Sequence, residues 1–210
     1  MQKVLRILSQ AISIMFYPLL IPTYGMGLFF LSFSTTGAAL PASYLVLCIV
    51  GTMLFTAVIP ILLILLMWRM GQISSLFITD ARQRNLPYLC CTLCFAFWCQ
   101  AIHNLMHLPT IWLAIAIGAT VALVCVWLIN HWWKISAHLT AIGGLLGGLC
   151  SFGLYYAIPI TPWVIIVLAV ALVLMYARLY LEAHTSLQVT AGLLLGLLCT
   201  FIPNLILYHA

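Results

Sequence analysis

Between Arg178 and Gln188 the chain reads Arg-Leu-Tyr-Leu-Glu-Ala-His-Thr-Ser-Leu-Gln, which puts a guanidinium, a carboxylate and an imidazole in one short stretch. Charge is scarce elsewhere: Asp80 and Glu182 are the only acids among 210 residues, against seven Lys and Arg. An ionisable group at the centre of a bilayer costs roughly 2.5–3.5 kcal/mol on insertion scales, so the few in this chain are placed deliberately. Arg offers a planar fork for two phosphate oxygens, and an imidazole is a capable nucleophile toward phosphorus. The stretch is therefore expected to grip a phosphate with Arg178 and attack it with His184.

Two further polar islands carry compatible groups. His131–His138 reads His-Trp-Trp-Lys-Ile-Ser-Ala-His and supplies Lys134, Ser136 and His138. Arg69–Pro87 is the longest hydrophilic segment and supplies Arg82 and Arg84. Lys acts on phosphate as a point charge, and a second imidazole can protonate a leaving oxygen.

The elements that must position these groups are membrane helices. The chain is 66% hydrophobic and 4% charged, with a mean hydropathy of +1.26. A soluble domain carries about 25% charged residues, so lipid is the only solvent this surface fits. Its apolar residues run unbroken rather than alternating, which excludes a β-barrel. The fold class is all-α: a polytopic bundle of six to seven spans, one integral domain over 1–210, with no nucleic-acid-binding surface. A crossing takes about 20 residues, and the spans are expected at 11–34, 43–68, 88–107, 110–130, 139–157, 161–181 and 188–208. Residues 1–10 read as a short polar start. Pro18 and Pro22 predict a kinked or partly re-entrant first span, and Pro60 a kink in the second. Gly143/Gly147 and Gly144/Gly148 give G-x-x-x-G spacings that predict tight packing of the fifth.

The three islands follow spans two, four and six, so they are expected at one membrane face together with the N-terminus. Ser136 and His138 stand where the fifth span begins and His184 just before the seventh, where helix N-termini favour an anion. The eight cysteines lie in apolar runs and read as small packing residues. Cys91 and Cys94 have C-x-x-C spacing but no second pair nearby, so metal or redox use is not expected.

These residues resemble the type 2 phosphatidic acid phosphatase superfamily, which shares its site with vanadium haloperoxidases. The family motif S-R-x-x-x-x-x-H-x-x-x-D is matched by Ala177-Arg178, His184 and Gln188, with Gln188 at the place of the Asp. The motif P-S-G-H is matched by Ile135-Ser136-Ala137-His138. The motif K-x-x-x-x-x-x-R-P is matched loosely by Asp80–Pro87. The likeness covers about residues 69–208 and is similar to a small bacterial branch carrying W-K-I-S-A-H and A-H-T-x-x-Q.

The resemblance implies roles. His184 would form a phosphohistidine, oriented by Gln188, and His138 would be the general acid. Arg178, Ser136, Lys134, Arg84, Arg82 and the Ala137 backbone would hold the phosphoryl oxygens. No metal or cofactor is implied. The substrate would be a phospholipid, lipid A or polyprenyl phosphate, at the outer face of a bacterial inner membrane. Counting Lys3, Arg6 and Arg69 by the positive-inside rule places the same face in the cytoplasm. Because Gln188 carries no charge and Ala137 replaces a Gly, a non-catalytic lipid-phosphate binder or transporter stays open beside the hydrolase, as does a phosphotransferase. Bland readings stand beside the sharp ones: Arg178 as a snorkelling helix end, Lys134 as an interfacial anchor beside Trp132 and Trp133, and Arg82 and Arg84 as a positive loop. His103, His107 and His209 read as helix-face or end residues, and His131 is undecided.

Overall fold

The computed structural model describes residues 2–35, 40–75 and 82–209, with Arg82 and residues 206–209 described as backbone alone. Asp80 and Ala81 lie outside the described residues. The protein is 83% helical with no strand among the described residues, and seven helical segments are long and apolar enough to cross a membrane. It is an all-α, multi-pass membrane bundle.

The first segment comprises two helices, α1 (Gln2–Met15) and α2 (Ile21–Ser34). Pro18 falls in the turn between them, where a missing N–H and a fixed φ do least harm. The expected polar start is thus helical from Gln2. Its polar residues recur every three or four positions at Arg6, Ser9, Gln10 and Ser13. Ser9 and Ser13 are buried, while Val4, Ile7, Leu8, Ile14 and Met15 are exposed. In water that would be inside-out; against lipid it is an amphipathic helix turning its polar stripe to the protein.

The second segment is continuous from Ala42 to Arg69. It comprises α3 (Ala42–Met53), a π-helical turn at Leu54–Val58, and α4 (Ile59–Arg69). The wide turn immediately precedes Pro60, absorbing the hydrogen bond that Pro60 cannot make. Then come α5 (Asn85–Asn104), α6 (Thr110–Ile129), α7 (Ala137–Tyr156), α8 (Thr161–Tyr180) and α9 (Ser186–His209). Each begins within three residues of the expected span.

The most intimate contact is between α7 and α9. A Cβ at Gly143 would collide with the backbone carbonyl of Leu193, and one at Gly147 with the carbonyl of Leu197. Reciprocally, a Cβ at Gly196 would strike the Thr140 carbonyl, and one at Gly192 would lie 2.6 Å from the Ser136 carbonyl. Two G-x-x-x-G faces therefore meet, and α9 contributes as much to the approach as the expected stripe on α7. Thr200 seals the seam by donating to the carbonyls of Gly144 (2.9 Å) and Gly196 (3.0 Å).

Gly196→Ala is expected to lower stability by about 1–3 kcal/mol, the usual range for overpacking. Gly27→Ala is the control: a Cβ there meets nothing within 4 Å, so it should be neutral or slightly stabilising. Thermal unfolding in detergent micelles checks both. Equal midpoints for the two variants would refute the backbone contact.

Candidate functional site

The islands converge as expected. Arg84, Lys134, Ala137, His138, Arg178 and His184 line one cavity of about 770 Å³. Arg178 is the last basic residue of α8, His138 lies in the first turn of α7, and His184 lies in the α8–α9 connection. The α7 and α9 N-termini stand side by side, joined where the Ser136 N–H donates to the Gln188 carbonyl at 3.3 Å.

The local fold around His184 fixes its chemistry. Thr185 precedes α9 and forms a reciprocal capping box with Gln188. The Gln188 N–H donates to Thr185 Oγ1 at 3.4 Å, and the Thr185 N–H donates to Gln188 Oε1 at 3.1 Å. That second bond identifies Oε1 as the oxygen. His184 Nδ1 lies 3.3 Å from the same Oε1 and 3.2 Å from the Lys134 carbonyl oxygen. Two acceptors at one nitrogen require that Nδ1 carry the proton, which leaves the lone pair on Nε2. The imidazole is thus in the tautomer a nucleophile needs, oriented by a neutral amide and a backbone carbonyl.

His138 is held differently. Its Nε2–H donates to the Ser13 carbonyl at 3.1 Å, and the Tyr17 ring meets it edge-on at 5.9 Å between centroids. Arg178 Nη1 donates to Ser13 Oγ at 3.3 Å. Arg178 Nε and Ser136 Oγ are buried without a partner. Each such orphan costs about 1–3 kcal/mol, and an oxyanion in the cavity would accept from Arg178.

Not every expected residue reaches the cavity wall. Ser136 is fully buried at the α7 N-cap, and neither it nor Gln188 lines the cavity. Ser136 therefore sits behind the wall, against α9 at Gly192, and Gln188 acts through His184. The Arg82 side chain lies outside the described residues. His131 stays out of the site: it is exposed, with Nδ1 2.9 Å from the Trp127 carbonyl at the end of α6.

Several lining residues were missed in the sequence: Arg6, Gln10, Ser13 and Tyr17 from the first segment, and Tyr88 from α5. The signal for the first three was the three-and-four spacing of polar residues through 6–13. Tyr17 and Tyr88 carried none. Glu182 also lines the cavity and is the only acid among the described residues. It closes α8 at a left-handed φ of 52°. The Glu182 N–H donates to Leu179 O, and the Ala183 N–H to Arg178 O. This is a Schellman motif whose usual glycine has been exchanged for a carboxylate. Among the described residues no three His, Cys, Asp or Glu side chains come together as a metal site, and all eight cysteines are free thiols.

Burial is the main force lowering the His184 pKa to about 4, followed by Arg178 and Lys134. Burial also lowers Lys134, with Arg84 and Arg178 adding to it. His184 is thus neutral at pH 7, and protonation on Nε2 removes its lone pair only as pH falls through about 4.

Comparison with protein-family models, with curated proteins and with solved structures gives no match for this chain.

Gln188→Glu keeps the capping box and puts a carboxylate on Nδ1–H, which stabilises the imidazolium. The His184 pKa is expected to move up from about 4 toward or above the ordinary histidine value. An NMR titration of ring-labelled His184 measures it, and an unchanged midpoint would break the assignment of Gln188 as orienting residue.

Proposed function

We propose that the chain is a membrane lipid phosphate phosphohydrolase working through a phosphohistidine. The observation that carries this is the His184 tautomer: a neutral imidazole with its Nε2 lone pair free, in a cavity lined by Arg84, Lys134 and Arg178.

In the first half-reaction the Nε2 lone pair bonds to phosphorus and the phosphorus–oxygen bond to the lipid breaks. The leaving oxygen takes a proton from protonated His138. His184 then carries the phosphoryl group and a positive charge, and its Nδ1–H stays bonded to Gln188 and Lys134. In the second half, water attacks phosphorus as His138 takes its proton, and inorganic phosphate leaves with His184 neutral again. Fixed cations offset the charge that builds on the phosphoryl oxygens. For His138 to face the leaving oxygen, the bound phosphate must replace Ser13 at both Arg178 and His138. The likeness to the phosphatidic acid phosphatase motifs supports the same roles and a site at the outer face of a bacterial inner membrane.

The second reading, a lipid-phosphate binder without turnover, is favoured by two observations. The proton of His138 points to the Ser13 carbonyl, and a neutral Gln188 supports His184.

A phosphate-release screen in detergent across phosphatidate, phosphatidylglycerophosphate, lipid A and polyprenyl phosphates separates the two. The wild type is expected to release phosphate, and His184→Ala to lose at least about 10²-fold in rate, the scale of a removed catalytic side chain. Full activity in His184→Ala ends the nucleophile assignment; binding with no product from the wild type leaves the binder. For the hydrolase, kcat/KM on the acid side should fall only near pH 4, because it reports the free enzyme's groups. A fall centred near pH 6.5 would contradict His184 as the base form that reacts.

A further inference from the structure

The cavity does not stop at the cations. It continues between α2, α5, α6 and α7 as an apolar shaft to Phe29, Ile102 and Trp112. Three helices give its depth independently. On α5 the lining runs from Tyr88 to Ile102, and on α6 from Val126 to Trp112. On α7 the same distance separates His138 from Phe152, which backs the far end. Each is about four turns, roughly 21 Å at 1.5 Å per residue. One leaflet of a bilayer core is about 15 Å thick, half of about 30 Å, so the shaft is deep enough to take a membrane-lipid chain along its length.

The far end is a built floor. Phe29 stacks on Phe152 with centroids 4.9 Å apart, and Trp112 meets both edge-on at 5.5 and 5.1 Å. The absent side chain of Gly148 makes room for this cluster: a Cβ there would lie 3.2 Å from Phe29.

The wall offers nothing to water. Its polar groups are already bonded outside the shaft. Trp98 Nε1 donates to Thr52 Oγ1 at 3.1 Å, Thr140 Oγ1 to the Ser136 carbonyl at 3.0 Å, and Thr200 to the Gly144 and Gly196 carbonyls. An apolar cavity with satisfied polar groups stays dry and takes an apolar guest.

We infer that this shaft seats one hydrocarbon chain of the phosphorylated lipid, with Phe29 and Trp112 setting the longest chain it accepts. The inference rests on the phosphate reading of the mouth for the headgroup, and the shaft adds the chemistry of the rest of the ligand. Linear acyl or alkyl chains and isoprenoid chains share that chemistry.

The test uses full-length protein and two series of single-chain monophosphates, linear and isoprenoid, from short to longer than a leaflet. Binding is measured on His184→Ala by native mass spectrometry and calorimetry, and turnover on the wild type by phosphate release. Affinity and kcat/KM are expected to rise roughly two- to fourfold per added methylene, as burial of about 0.8 kcal/mol each allows, and then to level off at one length. Ala119→Phe, which fills the shaft about halfway down α6, should lower the long- to short-chain ratio about tenfold, the worth of a few methylenes. The series with the steeper rise identifies the chain type. Chain-length-dependent binding without phosphate release would uphold the shaft and end the hydrolase reading. Affinity of His184→Ala that is independent of chain length, or a long- to short-chain ratio unchanged by Ala119→Phe, would overturn the shaft whatever the activity.

Discussion

The site depends on how closely α7 and α9 approach. Four glycines, Gly143, Gly147, Gly192 and Gly196, let one helix's backbone touch the other's carbonyls. Both helices start at the same face, so that approach brings two N-termini side by side. Their positive dipole ends then add at one point. From one hangs His138; at the other, Gln188 reaches back to His184. The seam also makes the Lys134 carbonyl an acceptor for His184, so the tautomer of that imidazole is set across the helix pair. The placement of the cavity's imidazoles is thus held by residues that have no side chain.

Electrostatics at the mouth follow from that placement. Lys134, Arg84 and Arg178 face one cavity beside a neutral His184, and the pKa of Lys134 and of His184 is lowered by burial and by the cations nearby. Arg178 Nε is also buried without a partner. Ser13 offsets part of this by offering its hydroxyl to Arg178 and its carbonyl to His138. An amphipathic helix whose apolar side faces lipid thus brings neutral acceptors to a cluster of cations. A phosphate dianion would satisfy the same donors far better, because hydrogen bonds to a charged acceptor are roughly twice as strong as neutral ones.

Much of this was legible before any coordinates. The span pattern and the convergence of the three islands followed from hydropathy and from counting crossings. Arg178, His184 and Gln188 come to one end of the bundle because they sit on a helix end, a connection and a helix start. What stayed hidden had physical reasons. Residues 2–10 look like a polar tail because Lys3 and Arg6 dominate the composition; only the periodicity of Arg6, Ser9, Gln10 and Ser13 shows a helix with its polar side inward. Gly192 and Gly196 had the same spacing as the stripe on α7, but a stripe does not name its partner. The Pro60 kink became a π-turn because membrane helices can widen rather than break. Ser136 took its place behind the wall because its backbone is spent on α9, its N–H on the Gln188 carbonyl and its carbonyl against Gly192.

Gln188 has two duties at once, and they explain why an amide suits this position. One oxygen closes the capping box with Thr185 and accepts from His184. Asp, one methylene shorter, would have to give up one of the two bonds. Glu would reach both and would also raise the basicity of His184, which favours the imidazolium and withdraws the lone pair nearer to neutral pH. With four cations, Arg6, Arg84, Lys134 and Arg178, lining the cavity, added anionic charge would also compete with a phosphate for them. The neutral amide keeps the imidazole deprotonated and adds no anionic charge beside the cations. What it would give up, in the phosphohistidine proposed above, is stabilisation of the positive charge on His184.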